Sequence, residues 1–156
     1  MTGAFDVTCV EETWALAKRF AAELKPGDVI CLEGDLGAGK TTFTQGLASA
    51  LGVAGRVTSP TFCLVQEHHR ASDLQPSTSN LQPLTSNLQP DFLVHMDLYR
   101  LNGEDDVLAI GWEDYLAEGA VLVVEWPERA GSLIPSDARH IRFEHRGEES
   151  RRIVFS

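Results

Sequence analysis

Cysteine is scarce in this chain. The three present, Cys9, Cys31 and Cys63, are far apart and include no CxxC pair. An odd number at such spacing argues against a disulfide framework or a zinc site and fits a reducing cytoplasm. Cys31 and Cys63 fall in apolar runs, where a thiol serves as a small buried hydrophobe. Positive charge is scarce as well: 13 Lys and Arg stand against 23 Asp and Glu, a formal net charge of −10. Affinity for nucleic acid comes largely from neutralising phosphates, so direct binding of nucleic acid fits this balance poorly. Long apolar runs are missing too. Stretches such as "AVLVV" fall far short of the ~20 residues that cross a bilayer. The opening "MTGAFDVTCVEETW" has neither the basic nor the apolar region of a secretory signal. A cytoplasmic protein without membrane contact is expected. The five histidines show no metal-binding spacing, and the adjacent His68 and His69 read as surface residues.

At 156 residues the chain suffices for one compact core, so a single domain over 1–156 is expected. After a short strand at "FDVT", Thr8 with Glu11 three residues on reads as a capping box. Val10, Trp14, Ala17, Phe20, Ala21 and Leu24 then recur at helical spacing, predicting a helix to about Leu24 that "KPGD" stops. "VICLE" reads as a strand and "TTFTQGLASALG" as a helix ending at Gly52. Later strands are expected at "FCLVQE", "FLVHMDL", "AVLVVEW", "HIRFEH" and "RRIVFS", with short helical pieces in "GEDDVLAIGWEDYLAEG". This alternation predicts an α/β fold: a mainly parallel central sheet between two helical layers, with antiparallel strands added at the edges. The last two strands, joined by "RGEES", read as an edge hairpin.

One segment breaks the rhythm. "SDLQP", "SNLQP" and "SNLQP" begin at Ser72, Ser79 and Ser86, and Pro76, Pro83 and Pro90 bar a heptad helix. Polar and of low complexity, the stretch over about 72–90 reads as a solvated, removable insert.

Between "VICLE" and the next helix lies "GDLGAGKTT", in which Gly34, Gly39, Lys40 and Thr41 satisfy G-x-x-x-x-G-K-[ST]. Glycines let backbone N–H groups turn in around phosphate oxygens, and the following helix adds its positive dipole end. Lys40 is the candidate to neutralise β- and γ-phosphates, and the Thr41 hydroxyl the candidate ligand of Mg²⁺. Such a site needs a further anchor at the end of a neighbouring strand. "FLVHMD" ends in Asp97 and "AVLVVE" in Glu125, the first suited to the metal, the second to a metal-bound or attacking water. Either could instead be a plain strand-end acid. Thr61 in "TSPTF" stands in a pre-strand loop that is either a switch whose hydroxyl senses the γ-phosphate or Mg²⁺ or a plain turn, and Trp126 is either core or a wall of the site. Neither N-K-x-D nor a D-x-x-G after the Asp97 strand occurs, which favours ATP over GTP.

"GDLGAGKTTF", "SPTF", "HMDLYRL" and "EWPER", in that order, with "LIP" and a basic C-terminal strand pair, closely resemble the TsaE (YjeE) family of bacterial ATPases. The resemblance spans the chain outside about 72–90. It implies a P-loop NTPase-like three-layer fold and an ATPase that works with the TsaB and TsaD proteins. Their product is N6-threonylcarbamoyladenosine at position 37 of tRNAs reading codons that begin with A, with tRNA contacted only through the complex. It further implies that the loop residues Asp35, Leu36, Gly37, Ala38, Gly39, Lys40, Thr41 and Thr42 bind nucleotide, with Trp126 beside it. By the same resemblance Thr41, Asp97 and Glu125 serve Mg²⁺. Glu125, Lys40 and Thr61 serve hydrolysis, and Tyr99 and Arg100 belong to the partner-facing surface. Ala17, His68 and Met96 stand where the family usually has glycine, tyrosine and phenylalanine. The readings left beside this one are a small-molecule kinase and a non-hydrolysing nucleotide switch.

Overall fold

The computed structural model describes residues 1–53, 57–60, 64–70, 90 and 92–156. The chain begins with strand β1 (Gly3–Val7) and helix α1 (Val10–Ala21), then strand β2 (Val29–Glu33) and helix α2 (Lys40–Ala50). Strands β3 (Val65–His69) and β4 (Phe92–Asp97) follow, then short helices α3 (Glu104–Ala109) and α4 (Trp112–Ala117), and strand β5 (Val121–Glu125). Two single-turn 3₁₀ helices, Pro127–Arg129 and Gly131–Leu133, lead to the closing strands β6 (Arg139–His145) and β7 (Arg151–Phe155).

One seven-stranded sheet has the order β1-β7-β6-β2-β5-β4-β3. Its middle, β6-β2-β5-β4, is parallel, and β7, β1 and β3 add antiparallel pairs on the two sides. The expected C-terminal hairpin is β6 with β7. It lies inside the sheet, however: β6 runs parallel to β2, and β1 caps β7 as the outer strand.

Side-chain alternation splits the apolar residues between two cores. Ile30, Leu32, Leu93, Val121 and Val123 face α1 and α2 together with Phe20, Phe43 and Leu47. Val29, Cys31, Val94, Met96, Leu122 and Val124 face α3 and α4 together with Val107 and Trp112. Strands buried on both sides explain the nearly unbroken hydrophobic runs of β2, β4 and β5. The Cys31 thiol, enclosed in the second core, is pushed up to about 12 by burial, so it packs as a hydrophobe. Cys63 and most of the insert lie outside the described residues. Among the described residues no helix is long and apolar enough to cross a membrane.

Helix α1 departs from the pattern read in the sequence. Its buried stripe is Thr13, Leu16, Ala17, Phe20 and Ala21, while Val10 and Trp14 are 44% and 45% exposed. The cap is shifted as well. Cys9 is the N-cap, and Glu12, not Glu11, reaches back, its carboxylate accepting from the Thr8 N–H at 2.7 Å and the Thr8 hydroxyl at 3.1 Å. The helix begins one residue later than the Thr8–Glu11 pattern requires, which brings Glu12 to the third helical position.

His68 is a second correction. It is buried, with 7% exposed, rather than on the surface, because its strand partner is Leu93 and both side chains point to the α2 face. His69, on the other face, stacks on Phe92 with ring centroids 4.9 Å apart.

Where α1 crosses α2 the helices touch through Gly46. A Cβ there would lie 2.8 Å from the Trp14 ring and 3.0 Å from both the Trp14 Cα and the Ala17 Cβ. Gly46→Val should lower unfolding stability by about 1–3 kcal/mol through overpacking, read from chemical denaturation midpoints. The insert is flanked by groups already in contact: His69 pairs with Phe92, and Arg70 Nη2 donates to the Pro90 carbonyl at 3.0 Å. Deleting 72–89 should therefore leave the melting temperature within a few degrees of the parent; loss of folding would overturn this assignment.

Candidate functional site

The loop Gly34 to Gly39 joins the end of β2 to the start of α2. Gly34 is fixed by a close approach: it has φ +138°, and a Cβ on it would lie 2.5 Å from the Phe143 carbonyl oxygen of β6. Gly37 has φ +76° with open space around it. The amide of Phe43 donates to Gly39 O at 2.9 Å, while the first amides of α2 are left to face the loop.

Alternation along the neighbouring strands then decides which acids the loop meets. In β5, Val121 and Val123 face α2, so Glu125 does too; in β4, Leu93 does, so His95 and Asp97 follow. The parallel register pairs Asp97 with Glu125 and Glu125 with Leu32. Neighbouring strands lie about 4.8 Å apart, so the two acids stand side by side next to the root of the loop.

The result is a cavity of about 470 Å³. Asp35, Leu36, Gly37 and Gly39 line it from the loop, and Lys40, Thr41 and Thr42 from the first turn of α2. Asp97, Glu125 and Trp126 close it from the strand ends. Ala38 is the exception among the expected loop residues, since it is buried in the core and its amide donates to Asp35 O at 3.1 Å. Thr61 lies outside the described residues. Its neighbour Ser59 lines the cavity, and the Asp97 amide donates to Leu64 O at 2.8 Å, tying this segment to the end of β4.

Asp97 and Glu125 are nearly buried, at 4% and 6% exposed. Asp97 Oδ1 accepts from the Tyr99 amide at 3.0 Å, which orients its carboxylate. Lys40 Nζ donates to the Gly34 carbonyl and, at 3.0 Å, to that of Asp35, and it lies 4.0 Å from Glu125 Oε2. Two acids and one ammonium enclosed together leave a net demand for positive charge. Among the described residues no three His, Cys, Asp or Glu form a metal cage. Mg²⁺ needs none, because it binds through one or two protein oxygens plus phosphate and water. The Thr41 hydroxyl and Asp97 carboxylate on this cavity fit that demand.

Trp126 has φ +58° and ψ +53°, a left-handed conformation costing roughly 1–2 kcal/mol in a bulky residue. The bend turns its ring out of the strand into the cavity wall, 44% exposed, and onto Tyr99 with centroids 4.8 Å apart. Trp126 is thus wall and not core. Sequence reading missed two contributors, Tyr99 as a lining residue and His95. Nε2 of His95 lies 2.9 Å from Glu125 Oε1. The signal for His95 was present: it sits two residues before Asp97 in an apolar strand, hence on the same face.

A glycine loop between a central parallel strand and its following helix, faced by two strand-end acids, defines a P-loop α/β protein. The family model of the threonylcarbamoyl adenosine biosynthesis protein TsaE matches residues 7–153, and the chain belongs to the TsaE family. It is 39% identical over 146 residues to the tRNA threonylcarbamoyladenosine biosynthesis protein TsaE of Bacillus subtilis, covering 94% of this chain and 80% of that one. The Streptomyces coelicolor protein of the same name is 38% identical over 129 residues, covering 83% and 76%. The crystal structure of Bacillus subtilis YdiB superposes with a TM-score of 0.70 at 34% identity, covering 99% of this chain and 84% of that one.

The loop geometry makes a contrast that stability measurements can read. Gly37→Ala should cost about 1–2 kcal/mol, the left-handed penalty alone. Gly34→Ala should cost ~1–3 kcal/mol beyond that, because its Cβ meets backbone that cannot swing away. Equal shifts in thermal denaturation would contradict the assigned packing.

Proposed function

We propose that the protein is a Mg²⁺-dependent ATPase acting with the TsaB and TsaD proteins to form N6-threonylcarbamoyladenosine at position 37 of tRNAs reading ANN codons. The observation that carries the hydrolytic part is the pairing of Asp97 with Glu125 on adjacent strands, facing a cavity that also holds Lys40 and Thr41. Membership of the TsaE family, and the role in tRNA threonylcarbamoyladenosine biosynthesis for which the relatives are named, support the biological part.

In this reading the loop amides and the α2 N-terminus hold the phosphates. Lys40 swings from the Gly34 and Asp35 carbonyls onto the β- and γ-oxygens, exchanging neutral acceptors for anionic ones. Thr41 and Asp97 would hold Mg²⁺, which would supply positive charge to the phosphates. Glu125, released from the ammonium 4.0 Å away, orients the attacking water. Thr61 senses the γ-phosphate, and the Trp126–Tyr99 pair with Arg100 forms the wall offered to the partner. With a net charge of −10, tRNA contact falls to the partners.

Lys40→Ala should weaken ATP binding by about 1.5–3 kcal/mol, the worth of a charge-assisted contact, in a titration with fluorescent nucleotide. Glu125→Ala should keep that affinity and lose turnover. Equal loss of binding in both variants would sink the assigned roles. Incubation with ATP, with and without TsaB and TsaD, separates the classes. Partner-stimulated phosphate release supports the proposal, phosphate on a metabolite marks a kinase, and binding without release marks a switch.

A further inference from the structure

Glu125 is held from behind by a residue to which the reaction so far gives no part. His95 lies in the middle of β4, 0% exposed, between Gln66 of β3 and Val123 of β5. Its Nε2 is 2.9 Å from Glu125 Oε1, while its Nδ1, also buried, has no hydrogen-bond partner among the described residues. Nε2 is the ring nitrogen that faces the carboxylate, and a proton on it can be donated to Glu125 Oε1. Nearby, His68 Nε2 is likewise buried without a hydrogen-bond partner among the described residues, and burial holds His68 below its ordinary value with His95 and His69 adding to the effect.

As a packing element this arrangement is poor. A wholly buried imidazole with one unsatisfied nitrogen costs the fold free energy that an apolar side chain in the same strand would not. What the imidazole does accomplish is geometric. It fixes one oxygen of Glu125, so that the other, Oε2, is presented towards the cavity and lies 4.0 Å from Lys40 Nζ. The side-chain torsions of the glutamate are thereby set before any substrate arrives, which is how a neighbouring donor preorganises a group that must aim a water.

We infer that His95 is a positioning residue for Glu125, holding its carboxylate through Nε2–H so that Oε2 is aimed at the attacking water. The inference rests on the hydrolytic role proposed for Glu125.

The test compares His95→Leu, His95→Gln and His95→Asn with Glu125→Ala in the full chain. Phosphate release in the presence of TsaB and TsaD, affinity for fluorescent ATP and thermal melting are each measured. His95→Leu should melt at or above the parent temperature, bind ATP within about twofold of it, and release phosphate at least ~10-fold more slowly, the scale of a misplaced catalytic group. Gln can present an amide N–H where Nε2–H stood and should keep the rate within about threefold. Asn is too short and should lose it. The Gln and Asn pair decides the matter even if the Leu variant does not fold. Wild-type turnover in His95→Leu, equal rates in Gln and Asn, or a parallel loss of ATP affinity would each overturn the proposal. Normal turnover in Glu125→Ala would overturn the role of Glu125 and this inference with it, whereas an inactive Glu125→Ala beside an active His95→Leu removes His95 alone. Nitrogen-15 NMR of the free protein gives a readout independent of turnover. The His95 ring should be an Nε2–H tautomer whose Nε2 resonance moves in Glu125→Gln, and an Nδ1–H tautomer would refute the contact.

Discussion

Everything at the cavity depends on three parallel strands ending at one level. β2 gives way to the glycine loop where Leu32 stands opposite Glu125, and Glu125 stands opposite Asp97. The inter-strand hydrogen bonds that set this register are ordinary backbone bonds, individually worth about 1 kcal/mol. Collectively they bring a flexible phosphate cradle and two rigidly mounted carboxylates within reach of one ligand. A slip of one residue in β5 would turn Glu125 into the opposite core and present Val124 instead. The apolar residues on both faces oppose that slip. Val121 and Val123 belong with α1 and α2, Leu122 and Val124 with α3 and α4, and an exchange would mismatch both.

The loop itself contributes little of its own rigidity. Its shape is imposed by β6, against which Gly34 packs, and by α2, whose first turn it enters. The opposite wall is imposed by strain. Pro127 fixes the chain after Trp126, and Trp126 takes up a left-handed turn that places its ring in the cavity wall against Tyr99. Rigid acids, an enforced loop and a strained aromatic make a site that exists before ligand arrives, which lowers the ordering cost of binding.

Much of this was readable from sequence because the signals are local. The P-loop spacing, the apolar runs of β2, β4 and β5, and the acids at the ends of β4 and β5 all depend on a few adjacent residues. What sequence misjudged depends on neighbours brought from afar. The helical spacing of Val10 and Trp14 matched a buried stripe, but the sheet covers a stripe turned towards Thr13 and Leu16. His68 looked like part of a polar border, yet its pairing with Leu93 carries it inside. The hairpin of β6 and β7 was visible, whereas its place between β2 and β1 follows from pairing across more than a hundred residues. Trp126 was ambiguous because only its backbone conformation separates wall from core.

The geometry of β4 also separates two ends of the molecule. The chain enters β4 at Phe92, beside Arg70 and Pro90, and leaves it at Asp97, a path of roughly 16 Å at 3.3 Å per residue. Sequence added between 70 and 90 therefore joins the molecule at the end of β4 opposite Asp97. Each doubling of such a tethered segment costs only about 0.6 kcal/mol in closure entropy. The junction thus offers a point of attachment for fluorophores or affinity handles whose anchors, Arg70 and Pro90, are separated from Asp97 by the length of a strand.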